Sequence, residues 1–202
     1  MSAQPETGVL RILVVCTGNI CRSPMAERLL ATGLAVRLGP AAASVRVESA
    51  GTWSHAGAPM QPHAQATLAG MGVGPDGFRA RQLTSDMVEE ADLVLAASRE
   101  HRAAVAVLVP RASRRTFTLC EFARLLGAVA PQDLPAGNVV ARGRALIVAA
   151  AAQRGLVPPD KPEDDDIADP YGEPVTAYAA AAAAIATALE RPLELLVPLR
   201  ER

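Results

Sequence analysis

The chain has 202 residues, half of them hydrophobic, with 20 Lys plus Arg against 21 Asp plus Glu and a formal net charge of −1. That length favours one domain, 1–202, with a sizeable core, and the balanced charge without a basic stripe argues against nucleic acid as a partner. No stretch reaches membrane-spanning length free of charge, Gly or Pro, so no membrane insertion is expected, and three cysteines do not make a disulfide framework.

Residues 1–8 read as a flexible tail. They are polar and lack a cationic start, so no secretory signal is expected and a reducing cytoplasm is the expected location. Residues 9–15 (VLRILVV) form a short apolar run that predicts a buried parallel strand. It leads into Cys16, and five residues separate Cys16 from Arg22. Ser23 is a plausible N-cap and Pro24 suits the first helical position. Met25, Leu29, Leu30, Gly33 and Leu34 then share one face of a helix running to about Leu38. A short strand at 45–48 ends in Ser49-Ala50-Gly51-Thr52, and a helix at 63–71 is stopped by Gly72. A helical turn at 85–90, a strand at 93–97, a helix at 99–109 and a strand at 115–119 follow. Strands alternating with helices imply right-handed βαβ units. The predicted fold is therefore α/β and three-layered, with a four-stranded parallel sheet flanked by helices.

From about residue 121 the pattern changes. Residues 122–126 and 142–154 look helical, separated by a loop carrying Pro131, Pro135 and Gly137. The Pro-rich and acidic run 158–166 reads as a solvated loop. Asp169-Pro170-Tyr171-Gly172 follows, then a closing Ala-rich helix from 176 to about 196, which Pro192 is expected to kink or to break near its end.

Chemistry concentrates at residues 16–23. A Cys-x5-Arg pair alone is a weak signal, and Cys16 by itself could be a small buried hydrophobe at a strand end. Its context strengthens it. Between a strand and a helix N-terminus several backbone N–H groups lack partners and the helix dipole is positive. Gly18 and Asn19 tolerate positive φ, so consecutive amides can curl toward one point. Arg22 can fork onto two phosphate oxygens. The same field favours Cys16 as a thiolate nucleophile, and Ser23 is placed to hydrogen-bond it. Such a loop suits a Cys-dependent phosphatase.

The run VCTGNICRSPMAE over residues 15–27 resembles the low-molecular-weight protein tyrosine phosphatases almost letter for letter. The resemblance extends to ESAGT at 48–52, ARQL at 80–83, ADLVL at 91–95 and DPYG at 169–172. It covers residues 9–119 and 166–197. The intervening stretch, about 121–165, is longer than the family's usual connection and reads as an inserted helical lobe and loop before the acid loop.

The resemblance implies hydrolysis of phosphotyrosine in proteins through a phosphocysteine. Cys16 would be the nucleophile, Arg22 the phosphate clamp and Asp169 the general acid and then base. Read on spacing alone, Asp169 in Asp-Pro-x-Gly would be a turn residue. Thr17, Gly18, Asn19, Ile20, Cys21 and Ser23 would complete the phosphate loop, with Trp53 and Tyr171 flanking the pocket to clamp a phenyl ring. Cys21 would guard Cys16 through a reversible disulfide, packing being the alternative. No cofactor or metal is implied, and no His/Cys spacing suggests one. The expected partner is a phosphotyrosine-containing protein or peptide. In one departure Phe78 stands where family members often carry a His that braces the loop Asn, here Asn19, so another group must hold it. No catalytic role is assigned to His55, His63 or His101, for which surface or helix-end positions are expected.

Other functions fit the same loop. A phosphoarginine phosphatase tends to have Thr where this chain has Ile20. A thiol-dependent arsenate reductase needs a relay pair of cysteines, which Cys120 alone does not supply. A phosphoprotein-binding module would not need Cys16, Arg22 and Asp169 intact.

Overall fold

The computed structural model describes residues 8–75 and 77–197. Residues 1–7 of the expected tail lie outside them. Four parallel strands, β1 (Leu10–Cys16), β2 (Val45–Gly51), β3 (Leu93–Ala96) and β4 (Thr116–Thr118), form one sheet in the order β2-β1-β3-β4. β1 is central because it is apolar on both faces. Leu10, Ile12 and Val14 point into one core, and Leu13 and Val15 into the other.

Helices cover both faces. On the first face α1 (Arg22–Leu38), α2 (Pro62–Gly70), α5 (Leu119–Leu126), α6 (Val139–Ala152) and α7 (Val175–Leu196) share the larger core with Ile12, Leu95 and Phe117. On the second, α3 (Ser85–Glu90) and α4 (Arg99–Leu108) pack Val88 and Val105 against Leu13, Val15 and Val94. The predicted three-layer α/β architecture with a four-stranded parallel sheet is the observed one.

Local chemistry sets several boundaries. The fourth strand shrinks to three residues because Thr118 and Glu121 form a reciprocal capping box that starts α5 at Leu119. Asn138 accepts a 2.8 Å hydrogen bond from the Ala141 N–H, so α6 begins three residues before the predicted start. Pro192 does not break α7. The helix continues to Leu196 with Pro192, Leu193, Leu195 and Leu196 all buried.

The acidic run is solvent-facing as expected up to Asp164, but its last two residues are not. Asp165 is buried and takes a two-point contact from Arg124, while Asp166 is clamped by the Arg99 side chain and its backbone N–H. Residues 121–165 thus contribute α6 to the main core and a carboxylate-pinned segment leading to Asp169. Gly143 of α6 lies so close to Leu10 of β1 that an added Cβ would collide with Leu10 Cδ2. Among the described residues no helix is long and apolar enough to cross a membrane.

Candidate active site

The site forms at the C-terminal end of β1. There the chain runs first to β2 on one side of the sheet and later to β3 on the other, the crevice where open α/β sheets place their ligands. Residues 16–22 form a tight loop whose carbonyls are taken from outside. Thr52, Trp53, His55 and Gln61 donate their backbone N–H groups to the carbonyls of Cys16, Thr17, Gly18 and Ile20, at 2.9–3.1 Å. Carbonyls drawn outward turn the loop's amides inward, which makes an anion nest. Positive φ occurs at Asn19 (54°) and not at Gly18. A Cβ at Gly18 would meet the exposed His55 ring at 3.0 Å, a tight contact that this side chain can relieve by a small shift.

Ser23 does not cap α1. Cys21 is the N-cap and makes no side-chain cap bond. The Ser23 hydroxyl shares a 2.9 Å hydrogen bond with Cys16 Sγ, and Ser23 Oγ accepts at 2.9 Å from Asn19 Nδ2. The helix N-terminus therefore keeps its unpartnered donors directed at the loop.

Asn19 is fully buried and held without help from Phe78, which packs into the core. Its Nδ2 donates to Ser49 Oγ at 2.8 Å and its Oδ1 accepts the Arg81 N–H at 2.7 Å. Ser49 in turn donates to Glu27 Oε2 at 2.6 Å. Burial raises the Glu27 carboxyl above its ordinary range, against the Ser49 hydrogen bond and the neighbouring Arg28 and Arg81 charges. In the sequence Ser49 reads only as a strand-ending residue.

Arg22 is buried, and its guanidinium spans the site. Nη2 donates to Asp169 Oδ2 at 2.5 Å and to Thr17 Oγ1 at 3.3 Å, and Nη1 donates to the Ile167 carbonyl at 3.2 Å. Asp169 is 46% exposed, and its Oδ1 accepts the Tyr171 N–H at 3.2 Å. The pinned stem positions it: burial works against the Asp166 charge, but the Arg99 hydrogen bonds outweigh it and hold that carboxyl below its usual range. The Ile167 N–H then donates to the Ala97 carbonyl at the end of β3.

The pocket mouth is lined by Ile20, Trp53, His55, Asp169 and Tyr171 above Cys16 and Arg22. All the expected site residues thus meet in one place except Asn19 and Ser23, which lie beneath it as braces. His55 is exposed as expected, but its surface position is at the pocket mouth, where it joins them. Its ring stands edge-on to Trp53 at 5.7 Å and stacks on Tyr171 at 6.3 Å. Trp53 is 72% exposed, free to meet a substrate ring.

His101 takes an expected helix-end position, the first turn of α4, but is buried there with 3% exposure. Nδ1 shares a 2.6 Å hydrogen bond with Ser98 Oγ and Nε2 a 2.8 Å one with Thr17 Oγ1. Burial, helped by the Arg22 charge, lowers its pKa to about 4, so it is a neutral brace under the loop. A lone His carries no periodic signal, and only the fold brings residue 101 to residue 17.

Cys21 is buried with its Sγ 3.9 Å from the Tyr178 hydroxyl. Burial pushes its thiol pKa up to about 12. Among the described residues no group of three His, Cys, Asp or Glu is placed to hold a metal ion.

An oxyanion seated among the loop amides and Arg22 would meet the Cys16 sulfur from below and a carboxyl from above. Comparison with known proteins identifies the family. The profile of the family "Low molecular weight phosphotyrosine protein phosphatase" matches residues 11–130. The chain is 41% identical to the Escherichia coli low molecular weight protein-tyrosine-phosphatase Etp over 105 residues, 52% of this chain and 66% of Etp, just under two thirds of that relative's length. It is 31% identical to a protein-arginine-phosphatase of Geobacillus stearothermophilus over 186 residues, 92% of this chain and 95% of that one. The solved structure of the YwlE arginine phosphatase from Geobacillus stearothermophilus superposes with a TM-score of 0.65 at 30% identity, covering 91% of this chain and 90% of the other. The chain belongs to the low molecular weight phosphotyrosine protein phosphatase family.

Proposed function

We propose that this protein hydrolyses phosphotyrosine in proteins through a phosphocysteine intermediate. The observation that carries this reading is the convergence of Cys16, Arg22 and Asp169 on one pocket, with Ser23 on the sulfur and Asp169 at the mouth. Phosphate forked by Arg22 takes over the contact that Asp169 holds, which frees the carboxyl for the ester oxygen. The Cys16 thiolate attacks phosphorus, the phosphorus–oxygen bond to the phenol breaks, and Asp169 gives the phenolate its proton. Water then attacks the phosphocysteine and passes a proton to Asp169. The thiolate leaves, stabilised by the Ser23 hydroxyl. No step uses a metal.

A second reading, phosphoarginine hydrolysis, is favoured by the relative matched along most of the chain, a protein-arginine-phosphatase. Against it stands Ile20, which lines the pocket with an apolar chain that offers a guanidinium no hydrogen bond. Trp53, His55 and Tyr171 beside it suit a flat aromatic leaving group. The test is kcat/KM for phosphotyrosine, phosphoserine and phosphoarginine peptides in wild type and Ile20→Thr. Phosphotyrosine should lead in the wild type, and Ile20→Thr should raise phosphoarginine relative to it. Wild-type preference for phosphoarginine sinks the tyrosine reading and leaves the Cys16 chemistry standing.

A further inference from the structure

A second concave site lies across the acid-loop stem, between α4, α5 and residues 154–165, with a volume of about 690 Å³. Arg99, Arg102, Arg124 and Arg154 line it, against Glu121 and Asp165. Two of the four guanidiniums are committed within the fold. Arg154 donates to Glu121 and to the carbonyls of Ser113 and Thr116, and Arg124 donates to Asp165 and the Val157 carbonyl.

The other two keep donors in reserve. Arg99 spends Nε and Nη2 on Asp166, which leaves Nη1 without an acceptor. Arg102 makes one hydrogen bond, from Nη1 to Glu121 at 2.7 Å, which leaves Nε and Nη2. They are three residues apart on one side of α4, 39% and 38% exposed. Both are cations in the first turn of a helix, where the dipole disfavours positive charge, so local helix stability does not account for them. Apart from Ser113 and Thr116 the rest of the wall is apolar, with Ala106, Leu125, Val157 and Pro159.

We propose that this cleft is a second anion site, taking a small organic phosphate or phosphonate. The oxyanion sits on the free donors of Arg99 and Arg102, and the organic part lies on the apolar wall. This site is separate from the pocket over Cys16 and does not depend on the phosphatase reading.

Calorimetric titration with phenylphosphonate at low salt tests it. Wild type should bind two equivalents, one in each site. Arg22→Met, which keeps the buried stem, should lose the catalytic equivalent and retain the other. Arg102→Ala should weaken the cleft equivalent about tenfold or more while keeping the catalytic one. Arg99 is left intact because it also holds Asp166. Thermal melts check folding, and Arg102→Gln carries the same expectation should Arg102→Ala not fold. A single equivalent that Arg22→Met abolishes, or a second equivalent untouched by Arg102→Ala and Arg102→Gln, overturns the proposal. Inorganic phosphate should fill the cleft less tightly than phenylphosphonate, and equal affinity would overturn the role of the apolar wall. Absent turnover of aryl phosphates alongside an intact cleft equivalent would sink the phosphatase reading alone.

Discussion

At the scale of single residues the arrangement around Cys16 makes sharp demands. The sulfur has one hydrogen-bonding neighbour, Ser23, and faces a loop whose amides are turned inward. Cys16→Ser should therefore abolish aryl-phosphate hydrolysis while vanadate affinity survives, and Arg22→Lys should fail because an ammonium cannot make a planar two-point contact. Turnover and oxyanion binding, measured on both variants, decide it; appreciable turnover by Cys16→Ser rules out the covalent route.

Asp169 is the residue whose role most needs kinetics, because it lies beyond the stretch that the family profile matches. Asp169→Asn should slow hydrolysis by about 10²–10⁴-fold, with the larger loss on poor leaving groups. Asp166→Asn should cost less, and evenly across leaving groups, because that carboxylate holds Arg99 and touches no substrate. A rate series over phenols of different acidity separates the two, and equal slopes would remove Asp169 from the acid role. Cys21 is a poor partner for rapid disulfide chemistry, since a thiol pushed up to about 12 supplies little thiolate near neutral pH.

At the scale of elements, α4 ties the sheet to the phosphate loop through His101. The unfolded imidazole titrates near 6.5, and the folded one at about 4. Between those values the unfolded chain binds more protons, so this group's contribution is complete above about 6.5 and is lost as pH falls toward 4. Melting temperatures of wild type and His101→Gln across pH 4–8 should converge toward the acid end, once carboxylate effects common to both are subtracted. A constant gap across that range would mean that the buried ring does not titrate as described. The same helix holds Asp166 through Arg99, so a disturbance of the α4 N-terminus reaches both the loop floor and the acid.

At the scale of the whole molecule, α6 is built into the common core. Leu146, Ile147 and Ala150 join Leu10, Ile12 and Leu189 in one apolar body, and Gly143 allows the close approach to Leu10. Gly143→Val should destabilise the protein by about 1–3 kcal/mol through overpacking. One cooperative transition at a lower melting temperature is the expected calorimetric trace. Two separate transitions would mean that α6 forms a unit of its own.

The sheet and the phosphate loop were legible in the sequence. The apolar run 9–15 and the Cys16-x5-Arg22 spacing are local patterns legible along the chain, whereas the helix starts at Arg22 and makes Pro24 its third residue, not its first. The pairing of Asp169 with a loop 147 residues earlier was legible through family likeness, not through spacing. Tertiary structure alone decided the rest. The serine at 23 is the sulfur partner that the loop pattern predicts, but the packed helix starts at Arg22 and leaves the cap position to Cys21. The end of the acidic run, Asp165 and Asp166, became a pinned stem because α4 and α5 bring Arg99 and Arg124 to it. His55 and His101 acquired places because ring stacking and buried hydrogen bonds depend on neighbours far along the chain. Such contacts carry no periodicity for a sequence to show, since they arise only when separate elements share one volume.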